Sequence, residues 1–296
     1  MKTILLSCGL LFSLLSYGQK SVNDGYFAMA EDTLAGIGRL VLESEEFETR
    51  LHYNQALLNI LTELLTQEQS MDYPFGKISN VSFQQSEDKR VRTITWMLPL
   101  DDGFYKYFGF VQVRKQKSAP YQLHILTDAS EEIAKPLSKS LKKDNWYGAI
   151  YYAIITSRHK KDVHYTLLGY DANSPSVQRK VIDYMTVDKN NEIAFGAPIF
   201  AGEKKVQHRV LFHYAKDVSM SLRFEKKQNR IVFDHLVPQK PSLEGIYEFY
   251  GPDFSYDAYE WVKGKWVFQA AVDARNEGLN EGNKTKKPQR KEFFKP

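Results

Sequence analysis

MSLRFEKKQNRIVFDHL, residues 220–236, decides the fold. Along an extended chain, Met220, Leu222 and Phe224 point one way, and Ser221 and Arg223 the other. Alternation with a period of two marks a strand with one buried face. The polar residues 226–229 then turn the chain into a second apolar run, Arg230 to Leu236. Strand, short polar turn and strand make an antiparallel hairpin.

The same unit recurs on both sides. Downstream, Ile246 to Tyr250 is predicted to meet Tyr256 to Val262 across Gly251-Pro252-Asp253, and Lys263-Gly264 turns into Trp266-Val267-Phe268. Upstream, Arg209 to Tyr214 is predicted to turn at Lys216-Asp217 into Met220. Lys180 to Val187 and Ile193 to Phe195 flank the polar turn 188–191, and Ile150 to Thr156 and Val163 to Tyr170 flank 158–162. Earlier still, Ile94, Trp96 and Leu98 alternate with Thr93, Thr95 and Met97, followed by strand-like runs at 104–113 and 123–126. Residues 131–144 read as a loop with a short helix, which Pro136 confines to one side of itself. Hairpins at short spacing build a meander of sequential neighbours. Its edges need protection, which a sandwich, a barrel or an irregular propeller-like closure would each supply. No repeat of constant period is present, which argues against a regular propeller.

Before Phe75 the periodicity is helical. Phe47, Leu51, Asn54, Leu58, Leu61 and Leu65 recur every three or four residues, with Leu57 and Leu64 beside them. Ser44 followed by Glu46 fits a helix start. Leu34, Ile37, Val41 and Leu42 suit a preceding helix, weakened by Gly36 and Gly38. That GxG reads as helix packing rather than phosphate binding. Two antiparallel helices joined near 43–45 are predicted, and Tyr73-Pro74-Phe75-Gly76 ends them. The leucine stripe reads as core, with docking onto a partner protein as the alternative.

The chain opens MKTILLSCGLLFSLLSYGQK. Lys2, an apolar run from Ile4 to Leu15 and small residues at Ser16 and Gly18 have the layout of a cleaved signal peptide, residues 1–18. The run is too short for a membrane span of about 20 residues, and no later run is long enough. Leu5-Leu6-Ser7-Cys8 has the outline of a lipobox, but the apolar run continues past Cys8. The roughly 278 residues that follow suffice for a sizeable core. Cys8 is the single cysteine, so the mature chain would carry no disulfide, thiol nucleophile or cysteine-bound metal.

Formal net charge is +4. The excess sits largely at 276–296, where Lys284, Lys286, Lys287, Arg290, Lys291 and Lys295 outnumber Glu277, Glu281 and Glu292. This segment stops alternating and reads as a disordered basic tail. The balanced body does not suit nucleic acid.

No GxSxG elbow, SxxK, P-loop or GxGxxG occurs, so neither a catalytic constellation nor a cofactor is expected. None of the seven histidines has HxH or HExxH spacing. His213 and His235, beside Asp234, could approach only if their strands paired. The run 188–192 lacks the later elements of a calcium loop. No metal site is expected.

The densest polar–aromatic segment is YEFYGPDFSYDAYEWVKGKW, 247–266. Aromatic faces beside carboxylates suit a sugar, whose C–H groups stack on rings while its hydroxyls bond the acids. Tyr250, Asp253, Asp257, Tyr259 and Trp261 are the candidate ligand-binding residues, and alternation puts Asp257, Tyr259 and Trp261 on one face. Asp253, Asp257 or Glu260 could also serve a glycosidase, given a suitable separation. The competing interpretation is cross-strand aromatic pairing that stabilises the sheet.

The second half resembles an uncharacterised family of exported bacterial proteins. The likeness rests on WYGAIYYAI (146–154), TLLGYD (166–171), FGAPIF (195–200), MSLRF with RIVFDHL (220–236) and YEFYGPDFSYDAYEW (247–261). It implies a secreted or periplasmic protein and carries over no activity and no site residues.

The sequence therefore predicts a β-rich α+β protein. A helical segment (19–75) packs on an antiparallel β-rich domain (76–275), between the signal and the tail. The expected role is a non-enzymatic exported protein that binds a ligand or partner, such as a glycan or an envelope protein. A glycan-acting hydrolase is the alternative.

Overall fold

The computed structural model describes residues 25–117, 119–202 and 205–274. The predicted signal, Cys8 and the predicted basic tail lie outside the described residues.

Two helices open the described chain, α1 (residues 25–43) and α2 (Phe47–Leu65). They run antiparallel: the Tyr26 hydroxyl, early in α1, donates to Glu63, late in α2, at 3.0 Å. The helix pair is as predicted, but its buried face is rotated. Arg50, Asn54, Leu57, Leu61, Leu64 and Leu65 are buried, while Leu51 is 39% exposed. Arg50 can lie inward because its guanidinium donates to the carbonyls of Ser44, Glu45 and Pro99 and to Asp101. Ser44 does not start α2. Its N–H closes α1 onto Leu40, and Glu46 is the N-cap. Gly38 leaves room for Asn80, whose side chain donates to the Gly38 carbonyl at 2.8 Å.

Three sheets follow. The first is β1 (Ser82–Gln85), β2 (Val91–Pro99), β3 (Tyr105–Val113) and β4 (Gln122–Thr127), antiparallel in chain order. The second contains β5 (Ile150–His159), β6 (Asp162–Asp171), β7 (Val177–Val187), the short β8 (Ile193–Phe195) and, later in the chain, β11 (Val210–Ala215). Its order is β11-β7-β6-β5, with β8 paired to the end of β7. The third holds β9 (Phe200–Ala201), β10 (Val206–Gln207), β12 (Leu222–Glu225), β13 (Arg230–Pro238), β14 (Tyr250–Val262) and β15 (Lys265–Gln269). Its order is β10-β9-β15-β14-β13-β12, and the β9–β15 pair is parallel.

The layers stack as helices, first sheet, second sheet, third sheet. Side-chain alternation sends Ile94, Trp96, Leu98 and Phe110 of the first sheet onto Leu34, Leu57 and Leu61 of the helices. The opposite face carries Tyr107, Val111 and Val113 onto Tyr151, Leu167 and Val181 of the second sheet. The far face of the second sheet carries Ile155, Ile182 and Tyr214 onto Phe200, Ile231, Tyr259 and Trp266 of the third. These are three packed linear sheets, two of which are covered on both faces.

Two predicted hairpins do not form. Arg209 to Tyr214 and Met220 to Phe224 belong to different sheets, because β11 pairs with β7 and β12 with β13. Both segments bury apolar side chains in one core from opposite sides, Val210 and Tyr214 from one and Met220 and Leu222 from the other. Likewise Tyr247–Phe249 is a 3-10 turn, and β14 runs unbroken from Tyr250 along β13. Its register shifts between Asp234 and Leu236 of β13, so residues 253–255 bulge rather than turn the chain. The remaining hairpins stand where alternation put them.

Candidate functional site

The seam between the first and second sheets is the polar one. At its centre Asp171, the last residue of β6, is 2% exposed. Its Oδ1 accepts the Tyr107 hydroxyl at 2.8 Å and the Asn173 N–H at 2.8 Å. Its Oδ2 accepts the Tyr147 hydroxyl at 3.0 Å and Arg179 Nη1 at 3.2 Å. Four donors thus fill both oxygens, which is what a buried carboxylate requires. Burial, and then the Asp171 charge, holds both tyrosine hydroxyls well above their ordinary pKa. They remain neutral donors across the physiological range.

Each element contributes one member. Tyr107 enters from β3, Tyr147 from the segment before β5, and Arg179 from the start of β7. Tyr107 Oη also accepts the Ala172 N–H at 2.8 Å, which ties the first sheet to the end of β6. Gly148 permits the close approach: a Cβ there would lie 2.6 Å from both Asp128 Oδ1 and the Tyr107 ring.

This network lines a cavity of about 620 Å³. Phe104, Tyr105, Ile133 and Leu211 supply apolar wall. Lys135, Lys205 and Glu131 supply charge. His213 of β11 also lines it, with its ring stacked on Tyr247 at 4.5 Å between centroids. Burial, and then the nearby Arg179 cation, lowers the His213 pKa to about 4, so the ring is neutral at pH 7. The size and mixture suit a small organic ligand.

The wall at residues 136–139 is held from behind. Arg209 and Asp183 have fully buried side chains, paired at 3.3 Å. Arg209 Nη1 donates to the carbonyls of Pro136 and Lys139. Asp183 also accepts the Tyr151 hydroxyl at 3.3 Å, and Trp146 Nε1 donates to that hydroxyl at 2.9 Å.

The residues singled out in 247–266 lie elsewhere, and none of them lines this cavity. Asp257, Tyr259 and Trp261 do share one face, but it is the inner face of the third sheet. Tyr259 packs on Phe200 and Phe233, and Trp261 on His164 and Trp266. Asp257 is 2% exposed, bonded to His235 Nδ1 at 2.8 Å and to the Ala271 N–H at 3.0 Å. Asp253 accepts the Ser255 N–H and hydroxyl within its bulge. Tyr250 packs on Tyr247 at 5.2 Å and receives the Gly245 N–H. His213 and His235 sit on strands of different sheets. Among the described residues, no three His, Cys, Asp or Glu side chains gather as metal ligands. No helix there is long and apolar enough to cross a membrane.

No motif marks the cavity residues, which come from five separated segments. The usable signal was an acid ending an apolar strand, with tyrosines at inward positions of its neighbours. Buried tyrosine hydroxyls need acceptors.

As a class, this is a β-rich α+β molecule with a polar, aromatic cleft at the seam of two stacked sheets. Comparison with protein-family models, with curated proteins and with solved structures gives no match.

Proposed function

We propose that the chain is an exported, non-enzymatic binding protein that takes a small ligand in the cleft between its first two sheets. One observation carries the reading: a cavity of about 620 Å³ combines aromatic wall with a Tyr107–Asp171–Tyr147–Arg179 network in which both oxygens of the buried Asp171 are fully bonded. Pre-formed clefts with a few fixed polar groups are the usual form of small-molecule sites. Export rests on the signal-like first 18 residues and on the resemblance of the second half to exported bacterial proteins.

Two features weigh against the hydrolase alternative. Asp171 has no free lone pair with which to act on a substrate, and Asp257 is committed to His235 and Ala271. A glycan remains among the ligand classes, because the cleft offers aromatic faces.

A thermal-shift screen of sugars, organic acids and amino acids against the mature chain tests the proposal. Leu211→Trp, which fills the cavity, and Trp261→Ala run beside the wild type. Ligands should stabilise wild type and Trp261→Ala but not Leu211→Trp. Stabilisation that survives Leu211→Trp, or turnover of a glycan that depends on Asp253 or Glu260, would overturn it.

A further inference from the structure

Arg179 uses only part of its hydrogen-bonding capacity. A guanidinium carries five N–H donors, and Nε and Nη2 share one edge of the plane. Nη1, on the other side, donates to Tyr147 Oη at 3.1 Å and to Asp171 Oδ2 at 3.2 Å. Among the described residues, Nε is buried with no acceptor. Nη2 has none either. The side chain lines the cavity and is 26% exposed. A buried donor without an acceptor costs about 1–3 kcal/mol, so an empty Nε calls for a partner. The Nε–Nη2 edge is the fork that matches the two oxygens of a carboxylate.

Asp171 cannot be that partner, since its four acceptor positions are occupied. It does fix the guanidinium plane by gripping the opposite side. The surrounding charge selects the anion. Arg179, Lys135 and Lys205 face Asp171 and Glu131 around the cavity, and His213 is neutral. Among the described residues, three cations against two carboxylates leave room for one negative charge, which suits a monoanion better than a phosphate dianion. Of the rest of the lining, Phe104 and Tyr105 keep exposed aromatic surface for a ring.

We infer that the cleft recognises a ring-bearing monocarboxylic acid, with the carboxylate seated on the Nε–Nη2 edge of Arg179, at Nη2 first and at Nε after a small shift of the side chain, and the ring against Phe104 and Tyr105. This rests on the reading of the cleft as the binding site. The ring could belong to an acidic sugar or to an aromatic acid, and the two sources are separable by experiment.

Titration calorimetry would compare glucuronate with glucose and 4-hydroxybenzoate with 4-hydroxybenzyl alcohol. The acid of one pair should bind at least about tenfold more tightly than its neutral twin, a difference of about 1.4 kcal/mol. Which pair responds names the source. Arg179→Lys keeps the charge and removes the fork, and should abolish most of that preference. Near-UV circular dichroism checks that this variant is folded. Should it misfold, Lys135→Ala with Lys205→Ala on the rim should weaken the acid alone, by about threefold, as expected of screened charges.

Equal affinity for acid and neutral twin, with Tyr107 and Tyr147 resonances shifting, would overturn the carboxylate inference and leave the binding site standing. Acid binding that ignores both sets of variants would also overturn it. Failure of all four compounds to bind would reject this ligand class. If those resonances also stayed fixed through the wider screen, the binding-site reading would fall as well.

Discussion

The two faces of the first sheet place their polar groups differently. Toward the helices, Ile94, Trp96, Leu98 and Phe110 meet leucines, and Trp96 Nε1 donates to Asn54 at 2.8 Å. At one end buried Arg92 donates to the carbonyls of Ser70, Tyr73 and Pro74, while Gln112 donates to the Leu65 carbonyl and the Ser70 hydroxyl. Toward the second sheet, apolar packing shares the seam with Thr93, Thr95, Tyr107, Tyr151, Asp171 and Asp183, all buried. The apolar centre of the first face holds by exclusion of water, which is non-directional and tolerant. The second holds by hydrogen bonds that fix geometry and leave a cavity at one end. A single sheet thus separates an apolar-centred layer from the seam that holds the cavity.

Breaking the seam should cost most. Asp183→Ala leaves the Arg209 cation buried without its counter-ion and the Tyr151 hydroxyl without its acceptor. A loss of about 4 kcal/mol in urea unfolding is expected, the range for a broken buried pair. A loss below about 1 kcal/mol would mean that the pair is not buried as described. On the helical face, Leu61→Ala should cost about 3 kcal/mol through its cavity, with ligand affinity at the cleft unchanged. A drop in affinity would show that the two faces are not independent.

The smallest expected effect is a pH dependence. The His213 pKa in the fold, about 4, lies below the unfolded value of about 6.5. Between these values the unfolded chain takes up a proton that the native ring refuses, so stability falls as pH drops from about 6.5 and levels off below about 4. His124 and His164, also lowered by burial first, act in the same direction. For His213 alone the loss is on the order of 2 kcal/mol, after allowing for its partial exposure. His213→Phe keeps the stack on Tyr247 and should flatten that part of the pH–stability curve. An unchanged slope would place the titration elsewhere.

Local order was legible and long-range order was not. The helix pair, the β5–β6, β7–β8, β12–β13 and β14–β15 hairpins and the β-rich class all follow from periodicity. Whether Arg209 to Tyr214 pairs with Met220 to Phe224 does not, because alternation says which face is buried and not which sheet receives it. Arg50 misled the helical stripe, since a cation reads as wet until its four acceptors are known. The seam was hidden for a related reason. Thr93 and Thr95 occupy positions that alternation gives to solvent, and stacking a second sheet on that face buries them, while Asp183 is a lone acid on the apolar face of Val181 and Met185. The cleft residues, scattered from Phe104 to His213, carry no spacing that a sequence could show.

Where a ligand sits separates the cleft from the third sheet most directly. A crystal structure of residues 19–296 soaked with mixed sugars and organic acids should show density in the cleft against Arg179, Tyr107 and Tyr147. Density only along Tyr250, Asp253 and Trp261, with the cleft empty, would contradict it.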